Sequence, residues 1–326
     1  MAMSCILDLT FDLYVISLLR QRRRTLMARG LLPLTLLLVI FSVSPGHAAE
    51  IRLAVASNFT VAAKSLAIEF EKQSEHTISL SFASTGKLYA QIKNGAPFDV
   101  FLSADAERPE LLEREGFVVA DNRFTYALGQ LVMWSSSLEN LDANTLSQGN
   151  FRNLAIANPK LAPYGRAAEQ VIQNLALTAQ LQNQLVFAEN VAQAFSFIHT
   201  GNADIGFIAL SQIVSKTTRT SDKALSSDDK ALSSDDEAPS EEGDASSEEG
   251  DASSEQGEAS SEQGEASGPV DEPLNGSFWK VPESYYEPIE QQAILLSKRS
   301  AAAEFLLFLM NEKARTIIAD AGFKLP

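Results

Sequence analysis

"LAVASNFTVAAKSLAIEFEKQ", residues 53–73, joins an apolar strand-like run directly to an amphipathic helical pattern. Ser57 and Asn58 occupy the junction, and no charged residue stands beside them. A short apolar strand followed at once by a helix is typical of a βαβ unit in a parallel sheet. In such sheets the loops at the carboxyl ends of the strands bind the ligand. The stretch therefore predicts an α/β fold with a ligand contact at this junction.

The same alternation continues along most of the chain. The strand-like runs are "IRLAVA", "TISLSFA", "FDVFLSA", "LVMWSS", "NLAIA", "ADIGFIAL" and "YYEPIEQQAILL". The helix-like runs are "VAAKSLAIEFEKQ", "GKLYAQIKNG", "PELLEREG", "GRAAEQVIQNLAL", "VAQAFSFIHTG" and "SAAAEFLLFLMNEKARTIIADAG". Short apolar strands separated by amphipathic helices predict mostly parallel sheets flanked by helices.

The formal net charge of the 326-residue chain is −16, but this charge is local. Residues 221–272 contain 18 Asp and Glu against 2 Lys, which leaves 24 residues of each sign elsewhere. Nucleic-acid binding needs a basic face, and this balance provides none. The only cysteine is Cys5, close to the N-terminus, so the sequence predicts no disulfide and no thiol chemistry in the folded protein.

The first 49 residues are predicted to be a secretory signal peptide. The basic segment "RQRRRTLMARG" precedes the apolar segment "LLPLTLLLVIFSVS", and small residues follow, with cleavage expected after Ala48 or Ala49. A membrane anchor is the alternative, but a span needs about 20 apolar residues and this run is shorter. Met1 and Met27 both remain possible start sites. The segment predicts export of a protein that works in the periplasm.

A disordered acidic insertion is predicted at about residues 217–274. "EEGDASS" begins at Glu241 and Glu248, and related repeats begin at Glu255 and Glu262 with the same spacing. A coiled coil is disfavoured because Ala is the only apolar residue in these repeats. Calcium binding is disfavoured because the spacing is not that of an EF-hand loop. High charge and low hydrophobicity predict a surface loop without a packed core.

No catalytic constellation stands out in the sequence. His76 and His199 have no partner at metal-ligand spacing, and no Gly-x-Ser-x-Gly motif is present. "STGKL", residues 84–88, resembles the end of a phosphate loop. It lacks the upstream glycine, however, and has Leu88 where that loop needs Ser or Thr. We therefore expect a protein that is not an enzyme and has no catalytic residues.

Small polar residues recur where strand-like runs meet helices. The four junctions are "VASNFT", "FASTGKLYAQI", "ANPKLAPYGRAAEQ" and "AENVAQAF". Each could be explained by helix capping alone, because Ser, Thr and Asn are favoured caps. The loops share one edge of a parallel sheet, however, so their free N–H groups and helix dipoles converge there and favour an anion. Hydroxyl groups add donors without a counter-charge, which suits a dianion that must later be released.

The sequence resembles the periplasmic molybdate-binding proteins of ABC importers over nearly all of residues 50–326, apart from the acidic insertion. The matching stretches are "AVASNF", "FASTGKLYAQIKNGAPFDVFLSAD", "NPKLAPYG", "ENVAQAFS", "GNADIGFIALSQI", "YYEPIEQQAILL" and "AGFKLP". The resemblance implies a two-lobed type II periplasmic-binding-protein fold with the oxyanion in the cleft between lobes. We expect lobe 1 to comprise residues 50–127 and 287–326, and lobe 2 to comprise residues 128–286.

The resemblance also implies a set of oxyanion contacts. The corresponding positions are Ser57, Asn58, Ser84, Thr85, Tyr164 and Val191. Thr85 matches a serine of the family and keeps its hydroxyl, and Val191 matches a position that donates its backbone N–H. Tyr164 matches a tyrosine found in one branch of the family. A second branch instead has a tyrosine where this chain has Ala209, so the pattern of the first branch applies.

The function implied is capture of molybdate or tungstate and its delivery to the membrane permease of an ABC importer. No cofactor is expected, and molybdenum would be bound only as the oxyanion; the protein is expected to be a monomer. Neutral donors reject a protonated oxyanion, because donor would face donor and leave a buried group unpaired. That disfavours phosphate, whereas sulfate must be excluded by size.

Three alternatives remain open at the level of sequence. The first is a carrier of sulfate, thiosulfate or an organic anion on the same fold. The second is a secreted hydrolase or transferase, for which the acid/base or nucleophile pair is missing. The third is a sensor lobe of a signalling system, which would need an output segment that the sequence up to Pro326 does not contain.

Overall fold

The computed structural model describes residues 48–119, 122–214 and 275–326 and contains two five-stranded sheets flanked by helices. The strands are β1 (Glu50–Ala56), β2 (Thr77–Ala83), β3 (Val100–Ser103), β4 (Phe124–Gly129), β5 (Leu131–Ser135), β6 (Leu154–Ala157), β7 (Leu185–Ala188), β8 (Ile205–Ala209), β9 (Ser277–Lys280) and β10 (Ile289–Leu295). The α-helices are α1 (Thr60–Gln73), α2 (Thr85–Lys93), α3 (Glu107–Arg114), α4 (Ala143–Gln148), α5 (Pro163–Asn174), α6 (Thr178–Leu181), α7 (Val191–His199), α8 (Ser300–Leu309) and α9 (Glu312–Asp320). Short 3₁₀ turns occupy Ser57–Phe59 and Glu283–Tyr285.

Two sequence predictions concern residues that the structure does not describe. Residues 1–47 of the predicted signal peptide and the whole predicted insertion, residues 217–274, lie outside the described residues. Among the helices that are described, none is both long enough and apolar enough to cross a membrane.

Both sheets mix parallel and antiparallel pairing. The first sheet has the order β2-β1-β3-β10-β4, and the second has the order β7-β6-β8-β5-β9. β1 is parallel to β2 and β3, and β6 is parallel to β7 and β8, whereas the pairings of β5 and β10 are antiparallel. The sheets are therefore less parallel than the sequence pattern predicted. The antiparallel pairs involve the strands by which the chain passes between the sheets, where no helical crossover forces parallel pairing.

The chain crosses between the two sheets twice. Gln130 separates β4 of the first sheet from β5 of the second, and residues 281–288 connect β9 of the second sheet to β10 of the first. We call the first sheet with its helices lobe 1 and the second sheet with its helices lobe 2. The boundaries after residues 127 and 286 that the sequence suggested stay predictions.

Strand β1 is a central strand of lobe 1. Leu53 to Ala56 are buried on both faces of β1, as expected for a central strand covered by helices on both sides. α1 packs Leu66 and Phe70 against the sheet, and the Phe70 ring meets the Phe305 ring of α8 edge-on at 5.3 Å between centroids. This packing fixes where β1 ends and therefore where the Ser57 turn lies.

A buried carboxylate joins the amino ends of β1 and β3 to the carboxyl end of the antiparallel β10. Asp99 is 3% exposed and stands directly before β3. Its carboxylate accepts hydrogen bonds from the Arg52 N–H (2.9 Å), the Ser297 hydroxyl (2.8 Å) and Arg299 Nη1 (2.9 Å). Because Arg52 is in β1 and Ser297 follows β10, one side chain sets the relative register of β1, β3 and β10.

We expect Asp99→Ala to lower the free energy of unfolding by about 3 kcal/mol, because it leaves a buried backbone N–H and a half-buried guanidinium without their acceptor. Urea denaturation followed by circular dichroism measures this loss. Asp320→Ala, on the exposed end of α9, is the control and should change stability by less than about 0.5 kcal/mol. Equal effects of the two substitutions would contradict this role of Asp99.

Candidate functional site

The four polar junctions meet where lobe 1 faces lobe 2. The Ser211 hydroxyl, just after β8, donates a 2.8 Å hydrogen bond to the Asn58 carbonyl in the turn after β1. The Gly86 N–H in the first turn of α2 donates to the Leu161 carbonyl at 2.8 Å, two residues before α5. A Cβ on Gly86 would lie 3.1 Å from Leu161 Cα, so the backbones of the two lobes are in close contact. The lobes are thus closed upon each other around these junctions.

All residues that the sequence predicted as oxyanion contacts are buried in this interface region. None of them is more than 8% exposed: Ser57, Asn58, Ser84, Thr85, Tyr164 and Val191. Buried polar groups in native proteins normally find hydrogen-bond partners, so each one without a partner requires an explanation.

Ser84 carries a buried hydroxyl that no group within the described residues satisfies. It is the N-cap residue of α2 and 2% exposed, but its side chain makes no capping hydrogen bond, and its Oγ has no partner. Asn190 at the start of α7 behaves differently, because its side chain accepts from the Gln193 N–H at 3.0 Å. Capping therefore explains Asn190 but does not explain Ser84.

The Thr85 hydroxyl and the Val191 backbone N–H are further hydrogen-bond donors in this region. The Thr85 hydroxyl accepts from the Ala104 N–H at 3.2 Å, which occupies its oxygen and leaves its proton for another acceptor. Val191 is the first residue of α7, so its N–H has no partner within the helix. The Ser57 carbonyl accepts from the Thr60 hydroxyl at 2.8 Å, which fixes the 3₁₀ turn that leads into α1.

Tyr164 places a phenol hydroxyl at the same interface from lobe 2. The side chain is 2% exposed, and burial raises the pKa of Tyr164 far above its usual value, so it remains a neutral donor. Asn58, Gln291 and the Gln130 backbone lie around the phenol oxygen and lower its pKa against the larger effect of burial. None of them forms a hydrogen bond of normal geometry with it, so the hydroxyl is unpartnered.

The glycine after Tyr164 allows α5 to begin this close to the second sheet. A Cβ on Gly165 would lie 2.1 Å from the Ala157 carbonyl oxygen at the end of β6, a distance that real Cβ atoms do not reach. Pro163 occupies the first turn of α5, where its missing N–H costs nothing. The "PYG" sequence therefore fixes Tyr164 at the carboxyl edge of the sheet.

Lys87 and Arg166, which lie beside these junctions, are paired with carboxylates of the opposite lobe, and Arg108 is paired with Asp105 of its own lobe. Lys87 Nζ lies 2.9 Å from Glu189 Oε1. Arg166 contacts Glu107 at 2.7 Å and Asp105 at 3.3 Å, and its guanidinium lowers the pKa of the Glu107 carboxyl. The ion pairs of Lys87 and Arg166 join the lobes, and the site itself presents neutral donors. In the described ranges, no cluster of three or more His, Cys, Asp or Glu side chains could hold a metal ion.

Sequence reasoning missed two residues that support the site. Gln291 of β10 is fully buried, and its Oε1 accepts from Asn58 Nδ2 at 3.0 Å. Ser211 holds the Asn58 carbonyl from lobe 2. The pair of glutamines in the otherwise apolar run "IEQQAILL" was a signal for Gln291, because polar side chains inside a central strand need partners.

Comparison with known proteins gives consistent matches. A family model described as bacterial extracellular solute-binding protein matches residues 51–231 and 252–324. A relative named molybdate-binding protein ModA, from Azotobacter vinelandii, is 38% identical over 284 residues, covering 86% of this chain and 91% of the relative. Another of the same name, from Rhodobacter capsulatus, is 35% identical over 292 residues, covering 88% of this chain and 93% of the relative.

Solved structures agree with these matches. The Azotobacter vinelandii periplasmic molybdate-binding protein superimposes with a TM-score of 0.65 at 34% identity, covering 85% of this chain and 99% of that one. The sulfate-binding protein SubI from Mycobacterium tuberculosis superimposes with a TM-score of 0.55 at 11% identity, covering 85% of this chain and 87% of that one. The second likeness concerns the fold alone. The family and the first structure confirm the predicted two-lobed α/β architecture.

The unequal bonding of Ser84 and Thr85 predicts unequal effects on stability without ligand. Ser84→Ala should leave the free energy of unfolding unchanged or raise it by about 1 kcal/mol, because it removes a buried hydroxyl that has no partner. Thr85→Ala should lower the free energy of unfolding by about 1–2 kcal/mol, because it leaves the buried Ala104 N–H without its acceptor. Chemical denaturation of protein freed of bound anion by unfolding and refolding measures both values. A loss for Ser84→Ala as large as that for Thr85→Ala would contradict the assignment of an unpartnered hydroxyl.

Proposed function

Because this chain belongs to the family of bacterial extracellular solute-binding proteins, we propose that it captures molybdate or tungstate and delivers it to an ABC importer. This membership, together with relatives named molybdate-binding proteins at 35% and 38% identity, agrees with the resemblance that the sequence suggested. The named relatives are binding proteins rather than enzymes, and the same holds for this chain. The ligand is held without a cofactor.

One observation carries the choice of ligand class. Ser84 and Tyr164, one from each lobe, bury hydroxyl groups for which residues 48–119, 122–214 and 275–326 supply no acceptor. Leaving a buried donor unpaired costs about 1–3 kcal/mol, and an oxyanion between the lobes would remove this cost at both positions. Thr85, Asn58 and the N–H groups at the starts of α2 and α7 would complete a shell of donors. We propose these residues, with Ser57 and Val191, as the oxyanion contacts.

The neutral character of this shell bears on selectivity. A cation in the site would give stronger hydrogen bonds, but it would bind phosphate in either protonation state. Lys87 and Arg166 are instead engaged with Glu189 and with Glu107 and Asp105. A shell of donors alone accepts a fully deprotonated tetrahedral dianion and rejects one that carries a proton. Phosphate is disfavoured on this ground, and the smaller sulfate would span the donors poorly.

The proposal extends to the compartment and to the partner. Residues 1–49 would direct export and be removed, which agrees with the name of the solved Azotobacter vinelandii relative as a periplasmic protein. A monomer would then bind the oxyanion between its lobes and present the closed surface to a membrane permease. Closure would be a hinge motion at the two crossings near Gln130 and residues 281–288.

Isothermal titration of the purified protein with molybdate, tungstate, sulfate and phosphate tests the function. We expect molybdate and tungstate to bind much more tightly than sulfate, and phosphate to bind weakly or not at all. Ser84→Ala should weaken molybdate binding about 10- to 100-fold, because one hydrogen bond to a charged ligand is lost. Ser196→Ala, on the exposed face of α7, is the matched control and should bind as the wild type does. Tighter binding of sulfate than of molybdate would refute the proposal in favour of a sulfate carrier.

The acidic insertion is expected to be dispensable for binding. Removing residues 222–272 takes away a formal charge of −16 and leaves a balanced chain, while every proposed contact lies before the insertion. The molybdate dissociation constant at 150 mM salt should change less than about twofold, since charges beyond a Debye length are screened. Titration of this shortened form against the full mature chain measures it. A large loss of affinity would show that the insertion takes part in binding.

A further inference from the structure

Gln291 occupies a position that joins both halves of the proposed oxyanion site. It lies in β10, shortly after the second crossing from lobe 2 to lobe 1, and is fully buried. Its two amide atoms face the two lobes' ligand residues: Oε1 accepts from Asn58 Nδ2 at 3.0 Å, and Nε2 lies beside the Tyr164 hydroxyl. A Cβ on Gly129 would sit 2.3 Å from the Tyr164 hydroxyl and 2.8 Å from Gln291 Nε2, so these two atoms are close neighbours.

The bond to Asn58 decides which way that amide points. With one Nδ2 proton given to Gln291 Oε1, the Asn58 amide is held with its nitrogen on the Gln291 side. The second Nδ2 proton remains available, while the Ser211 hydroxyl donates at 2.8 Å to the Asn58 backbone carbonyl and fixes the turn that carries the side chain. A reversed amide would place an oxygen there and repel a dianion. Gln291 thus selects the donor orientation of Asn58.

The surroundings of Tyr164 decide where its proton points. Gln291 Nε2 is itself buried and without a hydrogen-bond partner, as is the Tyr164 hydroxyl. Amide N–H groups can only donate, so the neighbouring Nε2 can approach only the lone pairs of the phenol oxygen. The Gln130 backbone also lies next to that oxygen. The phenol proton then has no acceptor among the residues that the structure describes and is free for an anion.

We propose that Gln291 is a positioning residue for the oxyanion site. By accepting from Asn58 and keeping its Nε2 donor beside the Tyr164 oxygen, it leaves one residue of each lobe with a proton for the same ligand. It touches no ligand atom itself and acts through Asn58 and Tyr164. This inference rests on the proposed function and adds to it the residue that sets the direction of its hydrogen bonds.

Gln292 provides a matched control within the same strand. It is also buried, at 6% exposed, and its side chain makes two hydrogen bonds where that of Gln291 makes one. These bonds go to Arg123 Nη1 at 2.8 Å and the Thr125 hydroxyl at 3.2 Å, neither of which is a proposed contact. A purely structural contribution of a buried glutamine to β10 would therefore be removed by either substitution.

The test is titration with sodium molybdate of the wild type, Gln291→Met, Gln292→Met, Tyr164→Phe and the double variant Tyr164→Phe/Gln291→Met. We expect Gln291→Met to weaken binding about tenfold or more and Gln292→Met to change it less than about twofold, although both lower the thermal midpoint. In the Tyr164→Phe background, Gln291→Met should cost clearly less than it does alone, because the residues act together.

Several outcomes would overturn the inference. They are wild-type affinity for Gln291→Met, an equal loss of affinity for Gln292→Met, or losses that multiply fully in the double variant. If Gln291→Met fails to fold, Gln291→Glu is titrated in its place. This variant keeps the side-chain volume and the oxygen that accepts from Asn58, and it removes the Nε2 donor beside Tyr164. Wild-type affinity for Gln291→Glu would then overturn the inference. A wild-type protein that ignores molybdate would overturn the proposed function, and this inference with it.

Discussion

The site depends on hydrogen-bond donors that are buried without an acceptor from the chain itself. Ser84 and Tyr164 hold such donors at the helix starts of opposite lobes, and the protein satisfies neither. Unpaired buried donors are costly, so they favour whatever anion can fill the space between the lobes. Neutral donors bind a dianion less tightly than cations would, and weaker binding makes release easier for a carrier. Recognition is thus built from dipoles, with the charge left on the ligand.

Cationic side chains serve a different purpose in this fold. Lys87 and Arg166 stand beside the junctions but pair with carboxylates across the interface. Exposed and half-exposed pairs of this kind contribute little stability, so they allow the lobes to separate again. A second buried carboxylate, Asp99, lies at the opposite edge of the sheet, where it joins the amino ends of β1 and β3 to the carboxyl end of β10. At the interface itself, the buried Asp105 carboxylate is paired with Arg108 and Arg166.

The two crossings between lobes lie beside the residues that would sense the ligand. Gln130 precedes β5 and its backbone lies next to the Tyr164 hydroxyl, while Gln291 follows the second crossing and holds Asn58. An oxyanion that aligns Asn58 and Tyr164 would therefore stabilise the segments that we propose as the hinge. The family of extracellular solute-binding proteins and the relatives named for molybdate fit this arrangement. The acidic insertion stands apart from it in sequence.

The sequence alone was sufficient for the α/β class, the four junctions and the family, because strand-to-helix transitions are local patterns and "GAPFDVFLSAD" is a specific stretch. It could not show which hydroxyls have partners: Ser84 and Thr85 are adjacent, but one is unpaired and the other accepts from Ala104. It also overestimated parallel pairing, because strand direction at the crossings depends on the path between sheets. Asn58 and Gln291 are 233 positions apart, and no periodicity connects them. Only the tertiary structure brings such side chains together, and burial then decides which of them must find a partner outside the chain.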